Sequence, residues 1–379
     1  MKLKDICKFV NEKVDTSSFH LEDYVSTENL LPNKGGVTVA SKIPQGKATL
    51  FKKGDILISN IRPYFKKIYL AKKQGCCSND VLCIRPNSNI PSSYLYYLLS
   101  QDSFFDYVMT GAKGTKMPRG DKGHIMNWAV YQSTLSQQQN IAEILTPLDD
   151  KIAVNSRICA NLEAQAQALF KSWFVDFTPF KDQPFVNSEL GPIPQGWKVG
   201  KINEFVDVIY GAPYKSKLFN TRKEGLPLIR IRDLKTCSPQ FYTKELLPNT
   251  ELVNYGDVVA GMDAEFTPHI WLGETGLLNQ RVCKFKPHTG ISPLYSMLMI
   301  KPKLEFAQNY KVGTTVSHLG KSDIDKFIII VPPLDIVKEV SSIFDAVLNE
   351  QINLAKENQR LAALRDTLLP KLMSGEIKL

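Results

Sequence analysis

The chain repeats itself, with segments of its first half recurring about 199 residues further on. Lys53–Leu57 recurs as Tyr255–Val259 after a small slip, and Ile141 recurs as Val340 at the constant offset. The helical and entry segments keep this offset, whereas the strand-rich middles slip by a few residues and differ in their basic loops. This pattern predicts two globular heads that are free to differ, each followed by a long helix that keeps the spacing constant.

Length and charge limit the classes of protein that the chain can belong to. Its 379 residues suffice for two or three domains, and an apolar fraction of 43% allows real cores. The formal net charge is +9 and the isoelectric point is about 9.0. This modest excess favours an anionic partner such as nucleic acid without requiring one.

The seven cysteines are odd in number and contain no Cys-x-x-Cys pair, so they predict buried reduced thiols rather than disulfides or a zinc site. The first ten residues alternate charged and apolar side chains, which predicts no signal peptide. No apolar run approaches the ~20 residues of a membrane helix. We therefore expect a cytoplasmic protein.

The distribution of Gly, Pro and Asn between apolar runs predicts an α+β fold in five segments. Short β-like runs bounded by Gly, Pro and Asn fill a first head over 1–135 and a second over 200–333. Long helices follow each head, over 136–178 and 334–379. Between them, 179–199 holds four prolines and is expected to be an irregular linker.

Both helical segments carry apolar residues at alternating spacings of four and three, which is a heptad seam. The first helix is about 57 Å long if continuous, although Thr146 and Pro147 offer a point where a helix can restart. We expect the two helices to pack antiparallel about an internal pseudo-two-fold axis, with Asn155 facing Asn358, because a polar residue on a seam needs a polar partner. The residues expected to form this spacer are Ile141, Leu145, Leu148, Ile152, Leu162, Leu169, Phe170, Trp173, Phe344, Val347, Leu354, Leu361 and Leu368.

No catalytic or metal-binding constellation is visible in the sequence. The five histidines form no metal motif, and no nucleotide-binding glycine loop or Gly-x-Ser-x-Gly elbow occurs. Val331–Leu334 lacks the polar residue that an amino-methyltransferase needs beside its Pro-Pro. Asp257 and Asp263 are not followed by a nuclease-type Glu-x-Lys, and the Gly-Asp pairs before strands are interpreted as turns. The sequence thus predicts no catalytic residue and no metal site.

Basic and polar clusters in glycine-punctuated loops remain as candidates for DNA contacts. Arg can bind guanine edges, Asn and Gln adenine edges, and Lys the phosphates. The alternation of Arg230 and Arg232 predicts that both lie on one face of a strand. The candidates are Asn60, Arg62, Tyr64, Lys66, Lys67, Lys116, Arg119, Tyr214, Lys215, Lys217, Arg222, Arg230, Arg232, Asn279, Gln280 and Arg281.

Distinctive segments occur in the first helix, within each head and in the second helix. They are Gln139–Leu145, Leu148–Asn155, Leu162–Ala164, Ala168–Phe177, Gly191–Trp197, Gly225–Asp233, Gly276–Val282, Ser59–Lys67, Ser78–Val81, Pro332–Leu334 and Leu369–Gly375. Through these segments, and most specifically through those of the first helix, the chain resembles the specificity subunit of type I restriction–modification systems along essentially its whole length. Ser133 and Thr134 depart from the Pro332–Pro333 of the second copy.

The resemblance implies a non-catalytic subunit of a bacterial defence complex. Each head would be a target recognition domain that reads one part of a bipartite DNA site, and the helices would set the unread gap. They would also dock two modification (methyltransferase) subunits, joined by restriction subunits. The chain itself is expected to bind no cofactor, with S-adenosylmethionine, ATP and Mg on those partners. Because the loops of the two heads differ, the site should be asymmetric.

Two other classes of function remain as alternatives. One is a coiled-coil scaffold or regulator whose heads bind protein, and the other is a stand-alone nuclease or methyltransferase. Methyl transfer by the chain without a partner would favour the enzyme, and salt-independent binding would argue against DNA contact.

Overall fold

The computed structural model describes residues 1–311 and 318–378. The chain divides into two compact units, one comprising Met1–Lys151 with Leu361–Leu379 and the other Ile152–Arg360. The long helices span Leu135–Phe174 and Leu334–Met373, so each unit contains a head and part of both helices. The sequence divides the chain into five consecutive segments instead of these two units, and those five boundaries stay a prediction. No helix in the described ranges is long and apolar enough to cross a membrane.

The first part of the chain forms eight short strands, three short helices and the first long helix. In order these are β1 Cys7–Phe9, β2 Lys13–Asp15, β3 Tyr24–Val25, β4 Lys47–Phe51, β5 Ile56–Ser59, β6 Ile68–Leu70, β7 Gly75–Cys77, β8 Val81–Pro86, α1 Ser92–Leu99, α2 Asp102–Thr110, α3 Lys122–Met126 and α4 Leu135–Phe174.

The second part repeats this plan with more strands and ends in the second long helix. In order these elements are β9 Phe185–Ser188, β10 Gly191–Pro194, β11 Lys198–Lys201, β12 Val206–Tyr210, β13 Leu226–Ile229, α5 Ile231–Leu234, β14 Phe241–Thr243, β15 Leu252–Val253, β16 Val258–Gly261, β17 Pro268–Ile270, β18 Gly276–Leu278, β19 Val282–Pro287, α6 Pro293–Lys311, α7 Lys321–Ile324, β20 Ile328–Val331 and α8 Leu334–Met373.

Two four-stranded sheets form the first head, with strand orders β1-β8-β5-β6 and β2-β4-β7-β3. Strand β5 is buried along its whole length, in line with its three consecutive apolar residues Ile56–Ile58. Helix α1 packs against β5, β6 and β8. Leu145 of α4 and Leu369 of α8 join the same apolar core, so the long helices complete the head instead of merely following it.

The second head repeats the first sheet as β12-β19-β16-β17 and modifies the other one. In both heads a middle strand, β7 or β18, pairs antiparallel with β4 or β15 and parallel with β3 or β13. The fourth strand is β2 beside β4 in the first head, but β14 beside β13 in the second. The duplicated core is therefore common to both heads, and the heads diverge at opposite sheet edges.

The Gly-Asp pairs are turns, as the sequence predicts. Gly54 and Gly256 have φ of 92° and 90°, in the left-handed region that favours glycine. Each following carboxylate closes its turn by accepting a backbone N–H three residues earlier, Asp55 from Lys52 at 2.8 Å and Asp257 from Asn254 at 2.8 Å. Both turns lead directly into the buried strands β5 and β16.

The expectation of an irregular linker over 179–199 is wrong. Strands β9 and β10 form an antiparallel hairpin, and β11 pairs with β20. Pro192 and Pro194 fit because β10 lies in a two-stranded sheet, where a residue without an N–H removes few ladder bonds. The prolines therefore do not prevent strand formation, because the strand that contains Pro192 and Pro194 belongs to a small two-stranded sheet.

Helix α4 is continuous through Pro147, so the alternative in which the helix restarts there does not occur. Helix α8 contains Pro370 near its end, and Gly375 follows with φ of 74°. A left-handed glycine just after a helix is a common way to end it, and the sequence predicts this stop.

The predicted pairing of Asn155 with Asn358 is confirmed. Within the second unit, Asn155 Nδ2 donates to Asn358 Oδ1 at 2.9 Å and to Glu357 Oε2 at 2.7 Å. One turn further along α4, Cys159 O accepts from Gln351 Nε2 at 3.3 Å. Residue numbers rise along one helix as they fall along the other, so the helices are antiparallel, and the polar pair fixes their register.

Replacing Asn155 by Leu is expected to destabilise the protein by about 1–3 kcal/mol, because it removes the amide that donates to Asn358 Oδ1 and Glu357 Oε2. Asn358→Leu should have a similar effect, since Asn155 is fully buried. In the double variant, the loss of unfolding free energy measured with urea should be smaller than the sum of the losses in the two single variants. If the two losses simply add, the two amides are not coupled.

Candidate nucleic-acid interface

Three chain segments converge on one surface of the first unit. They are the loop after β5, the turn before β8 and the segment before α3. Asn60 N donates to Asp80 O at 2.8 Å, Gly120 N donates to Asn60 O at 3.3 Å, and Ile61 forms a β-bridge with Arg119. Backbone hydrogen bonds therefore fix the relative positions of side chains that lie up to 60 residues apart in sequence.

The side chains on this surface provide both donors and acceptors. Arg119 Nη2 lies 3.2 Å from Asp80 Oδ1, and both side chains are substantially exposed. Arg62 has φ of 51° and donates its N–H to Pro118 O. Lys116 is exposed and Tyr64 is 47% exposed. We call the loop after β5, Asp80 and the segment 116–120 the first reading surface.

Two polar atoms on this surface have no hydrogen-bond partner. Asn60 Oδ1 and Arg62 Nε are buried and unpaired, and Arg62 is also held in the left-handed region, where a residue other than glycine is strained. Unsatisfied polar groups and backbone strain are costs that folds tolerate mainly at functional sites. Both residues are sequence-predicted candidates, and both lie on the first reading surface.

Lys66 and Lys67 have partners within the protein. Lys66 Nζ pairs with Asp102 at 2.9 Å, and Lys67 Nζ donates to Thr27 O at 2.5 Å. Burial lowers the pKa of Lys67. Both side chains help to hold the loop in place, and their contact with DNA stays a prediction.

The second unit carries the same backbone arrangement. Met262 N donates to Arg281 O at 2.9 Å, and Leu319 N donates to Met262 O at 2.8 Å. Asp263 forms a β-bridge with His318, as Ile61 does with Arg119. We call the loop after β16, Gln280, Arg281 and His318 the second reading surface.

Its charged groups are arranged differently. Asp263 Oδ2 accepts from Arg281 Nη1 at 2.7 Å, and Asp263 Oδ1 lies 2.7 Å from His318 Nδ1. In the second unit the acidic residue, Asp263, therefore follows strand β16. In the first unit the acidic residue, Asp80, precedes strand β8. Equivalent backbone positions carry different side chains, which is what two readers of different sequences require.

Three members of these surfaces were not predicted from the sequence, namely Asp80, Asp263 and His318. A search restricted to positive charge and amides misses acids, although a carboxylate can accept from a cytosine amino group. The duplication contained the signal for His318, which stands 199 residues after Arg119.

Two candidates of the second unit face the interior, and a third, Arg230, is partly buried. Tyr214 is 6% exposed, packs among Ala212, Leu228 and Leu277, and donates its hydroxyl to Thr250 Oγ1 at 3.2 Å. Asn279 is 8% exposed, and its Oδ1 accepts from Arg281 N. Both residues shape the second reading surface from below and cannot present their side chains to a base.

Arg230 is the partly buried candidate, and the predicted strand face is wrong. Arg230 caps the short helix α5, which contains Arg232. Its guanidinium carbon lies 4.2 Å from the centre of the Phe241 ring, and its side chain is 19% exposed. Burial raises the pKa of the neighbouring Asp233 to about 6. Arg232 is exposed and remains a candidate.

The other candidates of the second unit are exposed but do not all lie together. Gln280 adjoins Arg281 and donates its N–H to Ala212 O, which places it beside the loop carrying Lys215 and Lys217. Arg222 instead pairs with Glu224 at 3.1 Å. Within the described ranges, no group of three His, Cys, Asp or Glu side chains is arranged to hold a metal ion.

The comparisons with known proteins agree on one family. The sequence model described as the type I restriction modification DNA specificity domain matches residues 1–164 and 194–364. The chain is 27% identical to the type I restriction enzyme MjaIX specificity subunit of Methanocaldococcus jannaschii, covering 94% of this chain and 85% of the relative. It is 25% identical to the HindI specificity subunit of Haemophilus influenzae, covering 99% and 98%.

A solved structure shares the fold. The crystal structure of a type I restriction–modification system S subunit from M. genitalium matches with a TM-score of 0.53 at 14% identity, over 98% of this chain and 95% of that one. The family match covers both heads and most of both long helices. The chain belongs to the family of type I restriction–modification DNA specificity domains.

Proposed function

We propose that each reading surface recognises one part of an asymmetric bipartite DNA sequence. The chain serves as the DNA-specificity subunit of a type I restriction–modification system and is itself non-catalytic. The observation that carries the proposal is the shared backbone arrangement of the two surfaces with different polar side chains. A scaffold that bound one protein partner twice would be expected to keep its contact side chains the same.

The proposal assigns base reading to the mixed polar groups and positioning to the surrounding cations. In the first unit Asn60, Arg62 and Arg119 are the base-reading candidates, with Asp80 orienting Arg119. In the second unit Gln280 and Arg281 take this role, with Asp263 orienting Arg281. Such groups match the hydrogen-bonding pattern of base edges in the major groove.

Partner docking is proposed for the outer faces of the long helices. The seam residues are buried or half-buried within their own units, and Ile141, Leu145 and Phe344 are at most 3% exposed. These three stabilise the chain's own cores, and a docking role for the seam residues stays a prediction. Exposed apolar side chains on the same helices fit a docking role better, and they are Ile144, Val154, Ile158, Ile343 and Leu364.

The partners in this proposal are two modification subunits, joined by restriction subunits. S-adenosylmethionine would be bound by the former, and ATP and Mg by the latter. The two 40-residue helices, each about 60 Å long, would set the unread gap between the half-sites, which lie about 34–36 Å apart per helical turn of DNA. The chain alone should transfer no methyl group from S-adenosylmethionine.

Arg119→Gln is expected to relax recognition at one base position of one half-site, with a loss of discrimination of about 1–3 kcal/mol. Arg281→Gln should do the same in the other half-site only. Genome-wide mapping of methylated adenines, in a strain that expresses each variant with the modification subunit, measures both effects.

The matched control is Lys53→Gln, which removes an exposed charge at the opposite end of β5. It should leave the methylation map unchanged. A change in both half-sites with Arg119→Gln, or in neither, would contradict the assignment of one reading surface to each part of the site.

A further inference from the structure

A small polar cavity of about 130 Å³ lies in the first unit and belongs to none of the groups described above. Its polar walls are formed by Lys13 of β2, Thr49 of β4, Asn79 and Lys122, and Phe9 contributes an aromatic wall. No acidic residue lines it, although Glu12, Asp80 and Asp121 are sequence neighbours of lining residues. Cations thus face a space from which carboxylates are excluded.

The two lysines keep their charge uncompensated. Lys13 Nζ donates to Thr49 Oγ1 at 3.0 Å and to Asn79 Oδ1 at 2.6 Å, which are neutral acceptors and leave the third N–H for a ligand. Lys122 Nζ lies 5.5 Å from the centre of the Phe9 ring. Over residues 1–311 and 318–378, neither ammonium is within ion-pair distance of a carboxylate.

The nearby acids are already engaged with other cations. Asp121 pairs with Lys113 at 2.8 Å, and Asp80 pairs with Arg119 at 3.2 Å. Two ammonium groups beside one cavity without a lining carboxylate make its surroundings positive, and a bound anion would interact favourably with both. The arrangement therefore favours a ligand with negative charge and several acceptor oxygens.

The location of the cavity indicates the source of the anion. Asn79 immediately precedes Asp80, and Lys122 follows Arg119 by three residues, so two residues of the cavity wall adjoin the first reading surface in sequence. A duplex lying on that surface has a chain of phosphates on either side of the bases it presents. We propose that the cavity binds one phosphate of the DNA backbone and so fixes the register of the duplex on the first reading surface.

The inference rests on the proposed function and deepens it, and it distinguishes the two heads. In the second unit Lys321 follows His318 as Lys122 follows Arg119. However, the residue 199 positions after Lys13 is Ala212, which is fully buried. By this offset the second head carries Lys321 but has alanine in place of Lys13, so we expect the two-lysine phosphate site in the first head.

The test uses the full chain and a duplex carrying its recognised sequence, with affinity measured over a series of salt concentrations. Lys13→Gln/Lys122→Gln should weaken binding to specific and non-specific duplexes by the same factor. It should also lower the slope of log affinity against log salt by about 0.9, the value for one phosphate. Lys52→Gln/Lys53→Gln, which removes two exposed lysines at the other end of β5, should leave affinity and slope unchanged.

A second measurement locates the phosphate. In duplexes carrying one uncharged methylphosphonate each, one position should weaken binding by the wild-type chain but not by Lys13→Gln/Lys122→Gln. Equal urea unfolding midpoints would show that the variant is folded.

The outcomes separate this inference from the proposed function. A wild-type chain that binds no duplex would overturn the proposed function. Wild-type binding with an unchanged slope in the double variant would overturn the phosphate site alone. Calorimetric binding of inorganic phosphate that requires both lysines, without any coupled methylphosphonate position, would assign the cavity to a free anion and overturn the DNA contact.

Discussion

Replacing Asp55 by Asn is expected to lower the free energy of unfolding of the first unit by about 3 kcal/mol, because it removes one partner of a buried ion pair. Asp55 is 2% exposed, and its two carboxylate oxygens accept from Arg85 Nε and Nη2, both at 2.7 Å. The asparagine can still close the turn by accepting from Lys52 N, so the loss reports the charge pair. The Arg85 side chain is 27% exposed, and its remaining hydration keeps the cost at the lower end of the range for such pairs.

The duplication supplies a matched control. Asp257 occupies the equivalent turn, its side chain is 30% exposed, and Lys284 Nζ lies 3.5 Å away. Lys284 also donates to Leu252 O at 2.7 Å, so Asp257→Asn should cost only about 1 kcal/mol. Hydrogen–deuterium exchange of β5 and β16 in the two variants measures each unit by itself. Equal losses of unfolding free energy in Asp55→Asn and Asp257→Asn would show that the burial of an ion pair does not determine its contribution to stability.

This pair shows what the sequence predicts and what it leaves out. The turn is predictable because glycine and aspartate have local conformational preferences that the fold uses directly. The partner Arg85 lies 30 residues away on β8, and no local pattern points to it. Once one pair is known, the repeat gives the other, since Lys284 stands 199 residues after Arg85.

The helical seam shows the same limit in another form. The partner of Asn358 is predictable because Asn155 is the polar residue on the opposing seam. Gln351 and Arg365 are polar residues that interrupt the apolar seam of the second helix. Each nevertheless has a hydrogen-bond partner on the first helix, and neither partner is an apolar seam side chain. Gln351 reaches a backbone carbonyl and Arg365 reaches Asp149, because long side chains extend beyond the positions that heptad spacing describes.

The reading surfaces were only partly predictable. Basic residues in loops point to Arg119 and Arg281, but local sequence does not reveal which side of a loop faces the core. Tyr214 and Asn279 were therefore selected although both are buried. Convergence of distant segments is a property of the sheet topology, and it brings Asp80 to the first reading surface and His318 to the second.

Arg365→Met is expected to destabilise the first unit by about 3 kcal/mol, because it leaves the carboxylate of Asp149 without its cation. Arg365 Nη1 donates to Asp149 Oδ1 at 2.6 Å, and the arginine side chain is 12% exposed. Tyr97 donates its hydroxyl to Asp149 Oδ2 at 2.9 Å, and Arg365 also pairs with Asp366 at 2.9 Å. One side chain of α8 thus connects α4 and, through Asp149, the head helix α1.

Replacing the whole pair distinguishes the ion pair from simple packing. Arg365→Met/Asp149→Leu should recover most of the loss in urea unfolding, since well-packed apolar residues can replace a buried ion pair at little cost. Arg360→Met, which changes an exposed arginine of the same helix, should stay within about 0.5 kcal/mol of the wild type. A double variant as unstable as Arg365→Met would mean that Arg365 acts through its aliphatic packing, and Asp149 would then have no share in joining the spacer helices to the first head.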